Sequence, residues 1–165
     1  AAALSADIVR STIHTGVSVY LYSASFVLAA YIAAAPERRT EIIFKAYVAA
    51  ALVAAAAALA GYFALAPGAY DLFTRFGRAS GTFKDPNVLG PFLVPPILYL
   101  VHRAVSGPAG RIHGPLALAL LLVVVVVLSF SRGAWVNLAV ALLVFGYLQF
   151  VSLPTVTGCA WSCWR

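Results

Sequence analysis

Two short polar segments, residues 75–90 and 129–135, lie at the ends of apolar runs and hold the side chains with the clearest chemistry. Among these side chains are four cations and two uncharged polar groups: Arg75, Arg78, Lys84, Arg132, Asn87 and Ser131. Guanidinium groups match phosphate through paired hydrogen bonds, and a low-dielectric bilayer nearby strengthens the attraction. We therefore predict that the four cations bind an anion at a membrane surface, with Asn87 and Ser131 as supporting polar residues. A lipid diphosphate is the anion most suited to that depth.

The same residues also have a simpler interpretation. Arginines at helix ends commonly reach toward lipid head groups and set topology. Pro86-Asn87 is also good turn and helix-start chemistry, and Gly133 suits a sharp turn. Two observations favour a site. Arg75 and Arg78 are three apart and would share one face of a helical turn, and the two uncharged polar groups are not needed for anchoring.

The composition is that of a membrane protein. Of 165 residues, 63% are hydrophobic and 10% are charged, against about 25% charged in soluble domains. A spanning helix needs about 20 apolar residues, and several runs reach that length. We predict an all-α, polytopic transmembrane helix bundle with about five spans: 16–35, 42–66, 88–105, 115–130 and 134–152.

The connections and the composition of each run add detail. Residues 36–41 read as a short charged loop, 67–87 as the longest polar connection, and 131–133 as a very tight one. The alanine-rich second run is predicted to pack closely among other helices, because small residues let helices approach. Three prolines in 88–105 predict a kinked helix that faces a cavity or its neighbours.

The charge pattern bears on topology and on partners. The net charge is +6, but the cations are spread through short connections and no nucleic-acid motif is present, so we expect a lipid bilayer and no nucleic acid as partner. Five spans place the two polar segments on the same side of the membrane. The cations then divide almost equally between the two sides, so their number hardly indicates orientation.

Other chemistry has little support. His14, His102 and His113 share no metal-ligand spacing, and no nucleophile elbow, phosphate loop or metal motif is present. We predict no metal and no cofactor, and we name no catalytic residue.

The segment 153–165, with two cysteines in a Cys-x-x-x-Cys spacing, matches no strong metal or redox pattern and is set aside as an atypical tail. Because methionine is absent, we expect the chain to begin inside a longer protein.

At the two polar segments the sequence resembles the O-antigen ligase and O-antigen polymerase family of bacterial envelope proteins. In that family an arginine-containing loop leads into G-T-F-x-x-P-N-x-L-G, and S-x-S-R-G-A opens a span one hairpin later. The matching segments here are Arg75-Phe76-Gly77-Arg78, Gly81-Thr82-Phe83, Pro86-Asn87-Val88-Leu89-Gly90 and Ser129-Phe130-Ser131-Arg132-Gly133-Ala134. The resemblance covers about residues 40–150.

The resemblance implies an inner-membrane glycosyltransferase of about ten or more helices. It would ligate or polymerise glycans carried on undecaprenyl diphosphate at the periplasmic face, without a nucleotide sugar or metal. The family's diphosphate-binding arginines correspond to Arg132 and to Arg75 or Arg78. The family's large periplasmic loop, with the histidine thought to be catalytic, would follow residue 152. The chain would therefore be part of such an enzyme and inactive alone. Its sequence does not distinguish a ligase from a polymerase, and it does not indicate an oligomeric state.

Two other classes stay open. A fragment of a transporter or flippase would explain a proline-broken helix along a substrate path. A structural membrane subunit would predict that neutralising the cations has no effect.

Overall fold

The computed structural model of the chain describes residues 8–107 and 112–152. The all-α prediction is confirmed, since helices account for nearly all of the described elements. The helices are α1 (Ile8–Ala33), α2 (Pro36–Tyr62), α3 (Ala69–Phe73), α4 (Pro86–Ser106), α5 (His113–Leu128) and α6 (Arg132–Ser152). A two-stranded antiparallel hairpin, β1 (Thr74–Arg75) and β2 (Arg78–Ala79), lies between α3 and α4.

Four of these helices, α1, α2, α4 and α6, are long and apolar enough to cross a membrane. The fifth predicted span corresponds to α5, which is apolar but has 16 residues, somewhat fewer than the ~20 that cross a typical bilayer untilted. The tail 153–165 and Arg111 lie outside the described residues.

One predicted loop is wrong, and another is displaced. The charged segment 36–41 is the first part of α2, where Pro36 begins the helix and Glu37 lies in the first turn, both favourable at a helix N-terminus. Lys45 and Glu41 then pair one turn apart at 2.8 Å. The very tight connection predicted at 131–133 is indeed only three residues long, but it lies at 129–131, because α6 begins at Arg132.

The chain divides into two compact units, residues 1–45 and 46–165. In the first, α1 is almost wholly exposed along its length. Four of its hydroxyl groups nevertheless have internal partners, because they donate to the carbonyl four residues earlier: Thr15, Ser18, Ser23 and Ser25. Such bonds satisfy polar groups where no water is at hand, as a helix surface facing lipid requires.

The core of the second unit is built around α4, which packs against α5 and α6. Fully buried side chains from α4 and α5 fill it: Leu89, Leu93, Ile97, Leu122, Val125 and Val126. The helix α4 is continuous through three prolines, Pro91, Pro95 and Pro96. Its predicted contact with neighbouring helices is therefore observed, and the prolines do not interrupt it with a non-helical segment.

The two polar segments meet where α4 and α6 begin. A Cβ at Gly90 would lie 2.2 Å from the Cβ of Ala134, so only glycine allows this approach of the two helices. At the other end, Gln149 Nε2 lies 3.3 Å from His102 Nδ1. The helices α4 and α6 therefore run in the same direction, with their N-termini together.

The alanine-rich α2 buries one face, which agrees with the prediction of close packing. The buried positions recur at helical spacing: Val48, Ala51, Ala54, Ala55, Ala58 and Gly61. Gly81 lies against this face, where a Cβ would come 2.7 Å from the carbonyl oxygen of Ala54. Small residues thus seat the polar connection directly on α2.

Candidate functional site

The hairpin is the first structural feature of the site, and it corrects the sequence interpretation. Arg75 and Arg78 do not lie on a helical turn; they are paired opposite each other in β1 and β2. Phe76 and Gly77 form the two-residue turn with φ of 54° and 69°, the positive values of a type I′ turn. Directly opposite residues in an antiparallel pair project from one face with Cβ atoms about 4.5–5.5 Å apart. The two arginines therefore still share a face.

Arg78 joins the two polar segments. Its Nε donates to the carbonyl oxygen of Ser129 at 2.8 Å, and its Nη2 donates to Asn87 Oδ1 at 2.9 Å. These bonds tie the hairpin to the end of α5 and to the first turn of α4. A guanidinium has five N–H donors, so Arg78 is held in place and still has donors to offer.

Arg75 is held from the other side of the hairpin. Its Nη1 donates to the carbonyl oxygen of Lys84 at 3.1 Å, which folds the segment after the hairpin back toward it. The side chains of Arg75 and Lys84 are exposed. The Nε and Nη2 edge of Arg75 has no partner among the described residues, so it remains open to an anion.

Asp85 begins α4. Its Oδ1 accepts from the backbone N–H of Asn87 at 2.8 Å, and Pro86 follows as the first helical residue. The helix-start interpretation of Pro86-Asn87 is therefore confirmed. The carboxylate is a helix cap as well as a neighbour of Lys84, and the N-terminus of α4 adds positive potential at this point.

These elements enclose a groove of about 350 Å³, which we call the cationic groove. Its lining residues are Arg75, Phe76, Arg78, Lys84, Asp85, Pro86 and Asn87. Three cations face one carboxylate there. The groove includes three of the four cations predicted to bind an anion and one of the two supporting polar residues, Asn87. It lies at the N-terminal end of α4, a helix long enough to span a membrane.

The other two predicted residues lie outside the lining of this groove. Ser131 is buried, and its Oγ lies 3.4 Å from the N–H of Ala134, at the start of α6. Arg132 is exposed at the first position of α6 and makes no polar contact with another described residue. Ser131 thus supports the helix start, and Arg132 remains available next to the connection that Arg78 contacts.

Four contributors were not among the predicted site residues. Phe76, Asp85 and Pro86 line the cationic groove, and Ser129 supplies a backbone carbonyl to Arg78. In the described part of the chain, no three His, Cys, Asp or Glu side chains are grouped to hold a metal ion. His102 lies near the opposite end of α4, where it contacts Ser106 and Gln149.

Comparisons with known proteins found no matching family model, no matching curated protein and no matching solved structure. The chemistry of the site therefore rests on its own geometry.

Proposed function

We propose that the cationic groove binds the diphosphate of a lipid-linked glycan, and that the chain is part of an integral membrane glycosyltransferase. The observation that carries the proposal is Arg78, which joins both polar segments and lines the groove with Arg75 and Lys84. The ligand would be a glycan on undecaprenyl diphosphate, as the family resemblance implies.

The hairpin itself favours an anion as ligand. Like charges directly opposite each other across two strands are destabilising, yet Arg75 and Arg78 occupy such a pair. A bound diphosphate would relieve this repulsion and accept charge-assisted hydrogen bonds from both guanidinium groups. The groove also lies at the N-terminal end of α4, and a membrane-spanning α4 would place it near the lipid head groups.

The reaction would be a displacement at the anomeric carbon. An acceptor hydroxyl attacks this carbon, and the bond to the diphosphate oxygen breaks with its electron pair leaving on the undecaprenyl diphosphate. The hydroxyl proton passes to a base outside the described residues. Cations positioned on the leaving diphosphate stabilise the charge that develops there, which is the largest contribution in many such reactions.

The proposal also gives the protein a cellular location and an orientation in the membrane. The chain would lie in a bacterial inner membrane, with the cationic groove on the periplasmic side. A transporter or flippase remains the competing class, but the continuous helix α4 does not provide the discontinuous helix on which that class often depends.

Arg132 provides the test of transfer. In membranes from cells that express the protein from its own gene, Arg132→Ala is expected to abolish glycan transfer from a lipid-diphosphate donor, because it removes an exposed cation at the start of α6, three residues after the carbonyl that Arg78 contacts. Membrane insertion should be unchanged. Transfer is measured with a labelled donor, without added nucleotide sugar and with a metal chelator present.

The matched control for Arg132→Ala is Arg38→Ala, which removes an exposed arginine in the first turn of α2. It should leave transfer intact. Undiminished transfer by the Arg132 variant would remove this residue from the mechanism, and no transfer by the wild-type protein would contradict the proposed activity.

A further inference from the structure

Phe76 is the most exposed large apolar side chain in the described part of the chain, with 89% of its surface accessible. It forms the turn between Arg75 and Arg78 and lines the cationic groove with them. It has no ring contact or hydrogen bond with another described residue. An apolar ring thus stands between two cations with nothing in the described chain packed against it to explain its presence.

The backbone at Phe76 adds to this. Its φ of 54° places a bulky residue in the left-handed region, which is unfavourable for any side chain with a Cβ. Asparagine followed by glycine is the pair that a type I′ turn prefers. Phe76 therefore costs conformational stability without a packing contact that offsets it, as residues at binding sites often do.

We infer that Phe76 contacts the hydrocarbon chain next to the diphosphate, so that the cationic groove selects amphiphilic diphosphates over the free anion. The inference rests on the proposed function, because it assumes that the groove holds a diphosphate. The arginines bind the charged group, and the ring covers the first apolar units of the chain that leaves the groove. Apolar contact of this kind adds affinity in proportion to the area removed from water.

The test compares two soluble probes, farnesyl diphosphate and inorganic pyrophosphate, with the purified full chain in detergent. Phe76→Asn introduces the residue that the turn prefers, so the hairpin should be at least as stable as in the wild type. Phe76→Leu keeps an apolar group at the same position. Affinities are measured by isothermal titration, and folding is followed by thermal unfolding.

The wild type is expected to bind farnesyl diphosphate more tightly than pyrophosphate. Phe76→Asn should lower the affinity for farnesyl diphosphate about tenfold and leave the affinity for pyrophosphate unchanged. Phe76→Leu should retain much of the wild type's preference for farnesyl diphosphate. An unchanged affinity of the Asn variant for farnesyl diphosphate, or an equal loss for both probes, would overturn the inference alone. If the wild type bound neither farnesyl diphosphate nor pyrophosphate, the proposed function would be overturned, and this inference with it.

Discussion

Replacing Arg78 with lysine is expected to weaken the binding of undecaprenyl diphosphate about 10- to 100-fold, although the charge is kept. A lysine ammonium carries its donors on one nitrogen, and it lacks the two separate nitrogens through which the guanidinium donates to the Ser129 carbonyl and to Asn87 Oδ1 at 2.8 and 2.9 Å. It also loses the planar fork that matches phosphate. Each hydrogen bond to a charged group contributes about 1.5–3 kcal/mol, which corresponds to the stated range.

The measurement is a titration of the detergent-purified variant with undecaprenyl diphosphate, with Arg78→Ala beside it. The alanine variant should lose more affinity than the lysine variant, because it also loses the charge. Arg38→Ala, which removes a cation outside the cationic groove, should bind as the wild type does. If Arg78→Lys bound undecaprenyl diphosphate as tightly as the wild type, a positioned guanidinium would not be required, and the positive charge alone would account for binding.

Replacing Gly81 with alanine is expected to destabilise the fold by about 2–5 kcal/mol. Its φ of 56° is unfavourable for alanine, at about 1–2 kcal/mol. The new Cβ would also lie 2.7 Å from the Ala54 carbonyl oxygen, and overpacking of this kind costs about 1–3 kcal/mol. The carbonyl belongs to α2, so the connection that carries Lys84 must move away from the helix.

Gly77→Ala is the matched control for Gly81→Ala. Its φ of 69° is similarly left-handed, but a Cβ at Gly77 meets nothing within 4 Å. It should therefore show only the conformational part of the loss. Thermal unfolding of both variants in detergent measures the difference, and equal melting temperatures would contradict the close seating of residue 81 on α2.

The apolar pattern predicted most of the fold because it is local. Runs of about 20 apolar residues identify helices such as α2 and α6, and small residues at helical spacing in α2 indicate a packed face. The positions at which the helices begin and end were less predictable. The charges after Pro36 suggested a loop, although proline and glutamate also favour a helix N-terminus, and that preference decided the structure here.

Four of the six predicted site residues line the cationic groove, but the geometry that brings them together was not predicted. The spacing of Arg75 and Arg78 suits a helical turn, and Phe76-Gly77 lacks the asparagine or aspartate that signals a two-residue hairpin. The partner of Arg78 at Ser129 is a backbone carbonyl, which every residue has. Such a contact between residues 51 apart depends on how α4 and α5 pack, and no local pattern encodes it.

The most direct test of a diphosphate site in the cationic groove is the affinity of the wild-type chain for undecaprenyl diphosphate against undecaprenyl monophosphate, in nanodiscs of zwitterionic lipid. Two arginines that can each pair with a phosphate predict that the diphosphate binds at least about tenfold more tightly. The double variant Arg75→Gln/Arg78→Gln should lose this preference. Equal affinities of the wild type for the two lipids, or an undiminished preference in the double variant, would contradict the account.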